Sequence, residues 1–288
     1  MDTVYRDLTG RNEVLFVYTQ RWVPGRPFEV IGSLGGLGLA TVVSRAGYNG
    51  YSYSGILPKV VNLIEERKNR LYAICLYCDF DNIGAVKAIL DHFKEEPFYR
   101  LVGGPQTMHI TAEESSGFDC DAILCGDGED IVVEWLDAHR NDAGIQPEFP
   151  QETTPDRKGD YTLLSSFDSF PYPDDRRNLG IRSGLFSVIS ARGCPHRCAF
   201  CFEGGNSKLL RPRPARQVLD EIRARLAADP GLNYLFFADD TFTYEIKRLT
   251  EFCEGLSELR RERDFVWFCE GHASFFKRYG PDTKNPDP

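Results

Sequence analysis

Three cysteines stand within eight positions of the stretch "ARGCPHRCAFCFEGG", at Cys194, Cys198 and Cys201. The spacing follows neither the alternation of a strand nor the period of a helix, so three unrelated core thiols explain it poorly. A structural zinc site would need a fourth ligand, and His196 lies in the loop, although its place between two cysteines does not match zinc-finger spacing. A [4Fe–4S] cluster on three thiolates would instead leave one iron open to a small molecule.

The pattern C-x-x-x-C-x-x-C, with Phe200 directly before the third cysteine, resembles the signature of radical S-adenosylmethionine (SAM) enzymes. The preceding "SVISARGCP" resembles the first barrel strand of the branch of that superfamily with a cobalamin-binding domain. The resemblance implies a [4Fe–4S] cluster on Cys194, Cys198 and Cys201, whose open iron chelates the amino and carboxylate groups of SAM. It also implies that the cluster cleaves SAM reductively to a 5′-deoxyadenosyl radical, with Phe200 beside the SAM pocket.

Two acidic segments follow the next strands. "FFADDTF" resembles the acidic turn after the second barrel strand of this branch, which implies Asp239 or Asp240 in the cofactor pocket. "FCEG" similarly places Glu270 at the end of the third strand. Each acid equally suits a helix N-cap or a solvated turn. Gly204 and Gly205 would let a ligand approach the backbone closely, but two glycines in a loop are a weak signal alone.

The family resemblance extends over residues 13–140. "LGGLGLATVVSRAGY", "AICLYCDFDN", "LVGGPQ" and "AILCGDGED" resemble successive landmarks of a cobalamin-binding Rossmann-like domain, whose turns cradle the nucleotide tail of the cofactor. The cofactor contacts so implied are Cys75, Gly103, Gly104, Gly126, Gly128 and Glu129. The cobalt-ligating motif D-x-H-x-x-G is absent, which is typical of this branch, and "GDGE" carries aspartate where glutamate is usual. A scaffold whose glycines only make turns is the alternative.

Composition narrows the class of protein further. A net charge of −9 disfavours nucleic acid as a partner, and the sequence has neither an 18-residue apolar run nor a secretory signal, so we expect a cytoplasmic protein without a membrane span. Its nine cysteines should then be reduced thiols. Cys75 and Cys78 have C-x-x-C spacing, but like Cys120 and Cys125 they are better explained as buried thiols in strand-like runs.

The order of elements predicts an α/β protein of two domains. Alternating strands and helices over residues 1–141 predict a Rossmann-like doubly wound parallel sheet. Residues 142–184 are polar and rich in proline and predict a linker. Residues 185–288 resume with a strand over 185–193 and have room for only about three βα units of roughly thirty residues. Because the family's barrel has six, we expect a partial (β/α) radical SAM barrel, either truncated or completed by a second chain.

The resemblance implies cobalamin-dependent C-methylation, or a radical rearrangement or ring change, of a small molecule or peptide. An electron donor such as flavodoxin or ferredoxin would supply the reducing electron. The alternatives are a non-catalytic corrin- or iron–sulfur-binding module, a truncated subunit that needs a partner chain, and a structural zinc protein. The sequence does not identify the substrate.

Overall fold

The computed structural model describes residues 6, 8–20, 33–108, 115–126, 128–140, 177–179, 184–196, 198, 199, 201 and 210–275. The chain forms two compact units, residues 1–181 and 182–288. Most of the predicted linker, 142–184, lies outside the described residues. Within the described part of the chain, no helix is long and apolar enough to cross a membrane.

The first unit is built on a parallel five-stranded sheet in the order β2-β1-β3-β4-β5. Its strands are β1 (Glu13–Gln20), β2 (Asn49–Ile56), β3 (Leu71–Tyr77), β4 (Tyr99–Gly103) and β5 (Ala122–Leu124). This order places the topological switch point between β1 and β3, and ligands of such sheets bind outside the carboxyl ends of the strands there. The predicted Rossmann-like sheet is confirmed.

Helices cover both faces of this sheet. They are α1 (Leu34–Arg45), α2 (Leu57–Arg67), α3 (Ile83–His92) and α4 (Gly128–Arg140), with a 3-10 turn over Pro105–Met108. The side chains of α2 and α3 pack on one face of the sheet and those of α1 and α4 on the other. A sheet covered on both sides needs strands that are apolar throughout, which explains the "LYAICLY" run of β3.

The second unit contains a parallel three-stranded sheet in the order β10-β9-β6. Its elements are β6 (Leu185–Val188), β7 (Ala191–Arg192), β8 (Arg211–Pro212), α5 (Ala215–Ala228), β9 (Tyr234–Phe237), α6 (Ile246–Glu262) and β10 (Val266–Cys269). Both helices pack on one face of the sheet through an apolar cluster that includes Val218, Ile222, Phe252 and Leu256. These elements are the parallel strands and helices that the sequence predicts for this region.

The strand predicted over 185–193 is interrupted. It continues as β6 only to Val188, and Ala191 and Arg192 then pair antiparallel with β8. The break falls at Ile189 and Ser190. Ser190 is buried and bonds a side chain from another element instead of extending the sheet.

Candidate active site

The three cysteines follow β7 on the loop that leaves the carboxyl end of the first strand of the second unit. All three are free thiols, and Cys201 is exposed. The backbone N–H of Cys201 donates to the carbonyl of Cys198 at 3.0 Å. Burial is the largest cause that raises the pKa of the Cys194 thiol, and the nearby charges of Asp240, Cys201 and Cys198 raise it as well. A hydrogen bond from the backbone of His196 lowers it. The three thiols on this loop therefore lie close enough for charge on Cys198 or Cys201 to affect the pKa of Cys194.

The sequence leaves open two kinds of metal group for these cysteines, a single zinc ion and a [4Fe–4S] cluster. Among the described residues, no three cysteine, histidine or acidic side chains converge on the position of a single metal ion. A cubane cluster takes each thiolate at a different corner, so its ligands do not need to meet at one point. The ring of His196 stacks on that of His272, with 3.7 Å between ring centroids. Three free thiols on one loop fit the iron–sulfur group.

The two acidic segments lie at the same edge of the second sheet as the cysteine loop. Asp239 is buried, and its carboxylate accepts hydrogen bonds from the backbone N–H of Ser190, at 2.6 Å, and from the Ser190 hydroxyl. Burial raises the pKa of Asp239, and the bonds from Ser190 oppose that rise. Asp239 does not cap a helix, because the N-cap position of α6 is Glu245. Its carboxylate faces the strand that leads to the cysteines.

The other acidic side chains are more open. Asp240 is exposed, and its Oδ2 accepts a hydrogen bond from the backbone N–H of Gly193 at 3.0 Å. Glu270 is exposed directly after β10, and its carbonyl accepts from the N–H of Phe242 at 2.9 Å. This edge of the sheet therefore presents two carboxylates. Phe200, Gly204 and Gly205 lie outside the described residues.

In the first unit, four of the predicted contacts lie at the ends of β4 and β5. Gly103 closes β4, and Gly104 follows with φ +111°; a Cβ on Gly104 would lie 2.7 Å from the carbonyl oxygen of Cys78. Gly126 has φ +98°, and Gly128 begins α4. Glu129, the fifth, is buried in the first turn of α4. The positive φ at Gly104 and Gly126 already requires glycine for the turns themselves.

Cys75 does not lie at this edge. It sits in the middle of β3, paired in register with Phe16 and Leu101, and its side chain is buried in the apolar cluster under α1 and α4. Burial raises the pKa of its thiol well above the usual range. β3 ends two positions later, at Tyr77, so Cys75 is a core residue, as its alternative interpretation as a buried thiol predicts. This position does not favour a cofactor contact.

The sequence reasoning missed the polar group that occupies the switch point. The buried Asn82 donates from Nδ2 to the carbonyls of Tyr77, at 2.8 Å, and Thr19, at 3.3 Å, and so joins the ends of β3 and β1. Its Oδ1 accepts from the N–H of Asp79 at 2.9 Å. The carboxylate of Asp79 also raises the pKa of the neighbouring Tyr18 hydroxyl, after burial, which is the larger cause. The polar letters "DFDN" directly after an apolar strand were the available signal.

Comparison with protein families identifies the second unit. Residues 188–281 match the model of the Radical SAM superfamily. The chain carries a radical SAM domain. The matched range contains the cysteine loop, the acidic turn after β9 and Glu270, and the recognition made from the cysteine spacing is confirmed.

Proteins similar to this chain are enzymes by name. Over 152 residues it is 28% identical to the anaerobic magnesium-protoporphyrin IX monomethyl ester cyclase of Cereibacter sphaeroides. This match covers 47% of this chain and 24% of the cyclase. Over 199 residues it is 27% identical to an uncharacterized methyltransferase of Pyrococcus horikoshii, covering 63% and 41% of the two chains. The chain thus spans less than half the length of the curated relatives it matches.

A solved structure shares the fold. The apo form of OxsB, a cobalamin-dependent S-adenosylmethionine radical enzyme, matches with a TM-score of 0.57 at 16% identity, over 92% of this chain and 39% of OxsB. The α/β fold of this chain is therefore one that is known from a solved structure.

Proposed function

We propose that this chain acts as a radical SAM enzyme, with Cys194, Cys198 and Cys201 holding a [4Fe–4S] cluster. The observation that carries the proposal is the set of three free thiols on one loop, at the carboxyl edge of a parallel βα sheet inside the matched domain. When bound, such a cluster supplies the electron that cleaves the sulfonium bond of SAM. The chain's own residues bind the irons through sulfur and leave one iron without a protein ligand.

The pocket for SAM is proposed at the same edge. Asp240 and Glu270 are exposed there and carry the negative charge that the sulfonium and ammonium groups of SAM favour. Phe200, Gly204 and Gly205 belong to the proposal on the family resemblance alone. No described side chain is assigned a proton transfer.

We further propose that the first unit binds cobalamin at the carboxyl edge of its sheet. The likeness of fold to a cobalamin-dependent enzyme supports this, as does the position of the positive-φ turns at Gly104 and Gly126 at this edge of the sheet. Gly103, Gly128 and Glu129 complete the proposed contacts. Asn82 already joins the ends of β1 and β3, so the cofactor would lie outside those ends rather than between them. The corresponding reaction is C-methylation, which the methyltransferase relative favours, or ring closure, which the cyclase relative favours.

The proposed partners follow from this chemistry. They are a small-molecule or peptide substrate, a reduced ferredoxin or flavodoxin as electron donor, and a second chain that completes the barrel over the sheet face opposite α5 and α6, where Tyr234, Val266 and Phe268 are exposed within the described residues. The cytoplasm, where thiols stay reduced, is the proposed compartment. A non-catalytic module that binds the cluster or a corrin is the competing function.

The test is oxygen-free reconstitution with iron and sulfide, followed by a SAM cleavage assay with a chemical reductant. The unsubstituted chain should release 5′-deoxyadenosine. Alanine at any one of the three cysteines should lower both bound iron and product by at least about tenfold, because one iron of the cluster then loses its protein ligand. Cys253→Ala, at an exposed cysteine of α6, is the matched control and should change neither. Bound iron without 5′-deoxyadenosine would favour the non-catalytic module.

A further inference from the structure

Ser190 is the centre of a buried polar network just ahead of the cysteine loop. It is fully buried and stands four positions before Cys194. Its backbone N–H and its hydroxyl both donate to the carboxylate of Asp239. Its carbonyl accepts from Nη2 of Arg248 at 2.6 Å and from the backbone N–H of Arg213 at 2.9 Å. Each polar group of this one residue is therefore held by a group from another part of the domain.

The groups that hold Ser190 are themselves buried and come from three elements. Asp239 follows β9 and is 3% exposed; Arg248, in the first turn of α6, is 7% exposed. Arg213 follows β8, donates from Nη1 to the carbonyl of Ile189 at 2.7 Å, and forms an ion pair with Glu221 at 2.8 Å. Buried charges are costly unless they are hydrogen-bonded, and bonds to charged groups are the strong ones. The network therefore resists displacement of the backbone at Ser190.

A second attachment lies three positions later. The carboxylate of Asp240 accepts from the N–H of Gly193, which has φ +85° and directly precedes Cys194. Between the two attachments, Ala191 and Arg192 pair with β8. Adjacent aspartates thus hold both ends of the segment 190–193, and the first cysteine comes immediately after it.

We propose that Asp239, Asp240 and Arg248 are positioning residues that fix the backbone of residues 190–193 and thereby the place of Cys194. This rests on the proposed function, since the cysteine they place is one of the proposed cluster ligands. For the buried Asp239 it differs from the role implied by the family resemblance, which is contact with the cofactor; the exposed Asp240 would hold Gly193 and also face the SAM pocket. The position of a metal ligand depends on the residues that hold it in place. Loss of those residues lowers metal affinity and shifts the properties of the bound metal.

The first test uses the metal-free chain and measures backbone hydrogen exchange at single residues. Asp239→Ala should raise the exchange rate of the Ser190 amide, and Asp240→Ala that of the Gly193 amide, each by about tenfold or more, because a charge-assisted bond is lost. Asp239→Asn should restore slow exchange at Ser190, since the amide oxygen still accepts from its N–H and the amide nitrogen can donate to its hydroxyl. Glu258→Gln, at an exposed position of α6, is the control and should match the unsubstituted chain.

The second test uses the reconstituted chain. Asp239→Ala should retain less iron per chain and shift the electron paramagnetic resonance spectrum and midpoint potential of the reduced cluster, whereas Glu258→Gln should not. Unchanged exchange at Ser190 and Gly193, or an unchanged spectrum and iron content, would overturn the proposal. If Asp239→Ala fails to fold by circular dichroism, Ser190→Ala and Arg248→Lys decide by the same readouts. If the unsubstituted chain takes up no iron, the proposed function fails, while the exchange test still decides whether 190–193 is held as described.

Discussion

At the scale of single residues, Tyr18 reports on the switch point of the first unit. Burial, together with the neighbouring carboxylates of Asp79 and Asp81, raises its pKa from 10.0 to about 12. A tyrosine whose pKa is raised by folding stabilises the fold fully below its unfolded pKa. We therefore expect stability to fall as the pH rises from about 10 to about 12.

The measurement is a tyrosinate absorbance titration. Since the chain has thirteen tyrosines, the signal of Tyr18 is obtained by subtracting the titration of Tyr18→Phe. Asp79→Asn should lower the pKa of Tyr18, because it removes a negative charge and a hydrogen bond while the burial remains. A difference signal centred on the ordinary tyrosine pKa would show that Tyr18 is not buried beside Asp79.

The sequence predicts which residue types lie at the site, but not which partners their side chains contact. An acidic turn after the second strand of the radical SAM domain followed from "FFADDTF", but the sequence left Asp239 and Asp240 interchangeable. Their roles differ because Asp239 meets Ser190, 49 positions away in sequence, and Asp240 meets Gly193. Such contacts form only when strands that are distant in sequence lie side by side, so the spacing of residues along the chain does not predict them.

At the scale of elements, the turn after β4 brings Gly104 directly against the backbone of Cys78, which follows β3. Gly104→Ala should destabilise the chain by about 1–3 kcal/mol, because φ is +111° and the new Cβ would collide with the backbone of Cys78. Gly84→Ala, in α3 where a Cβ meets open space, is the matched control and should be neutral or stabilising by up to about 1 kcal/mol. Equal chemical denaturation midpoints for both variants would contradict the turn geometry.

The elements themselves could largely be derived from the sequence. The alternation of apolar strand and amphipathic helix fixes the parallel sheet of the first unit, and "LYAICLY" is a buried central strand as expected. Two features could not be derived. The break between β6 and β7 depends on the bonds of Ser190, and the cofactor contact implied for Cys75 by the family resemblance falls in the middle of β3, because periodicity does not say where a strand stops.

At the scale of the molecule, one face of the three-stranded sheet is apolar and uncovered within the described residues. Tyr234, Val266 and Phe268 are exposed by 50%, 55% and 46%, and the ring of Phe268 stacks on Phe236 with 4.8 Å between centroids. The opposite face is covered by α5 and α6. An exposed apolar patch of this kind favours association with another surface.

We therefore expect Phe268→Ser to lower both self-association and the binding of an apolar fluorescent dye. Ile246→Ser removes a side chain of similar exposure, 44%, from the outer helix α6 and is the matched control. Light scattering and dye fluorescence provide the measurement. If both variants changed these signals equally, the sheet face would have no special part in association.

The central claim is that three cysteines on one loop hold an iron–sulfur cluster. It is tested most directly by the metal and sulfide content of the chain purified without oxygen. The account predicts about four irons and about four sulfides per chain, with the broad visible absorbance of a cluster, and their loss on substitution of Cys194, Cys198 or Cys201. One zinc per chain with no sulfide, or iron that persists in those variants, would contradict it.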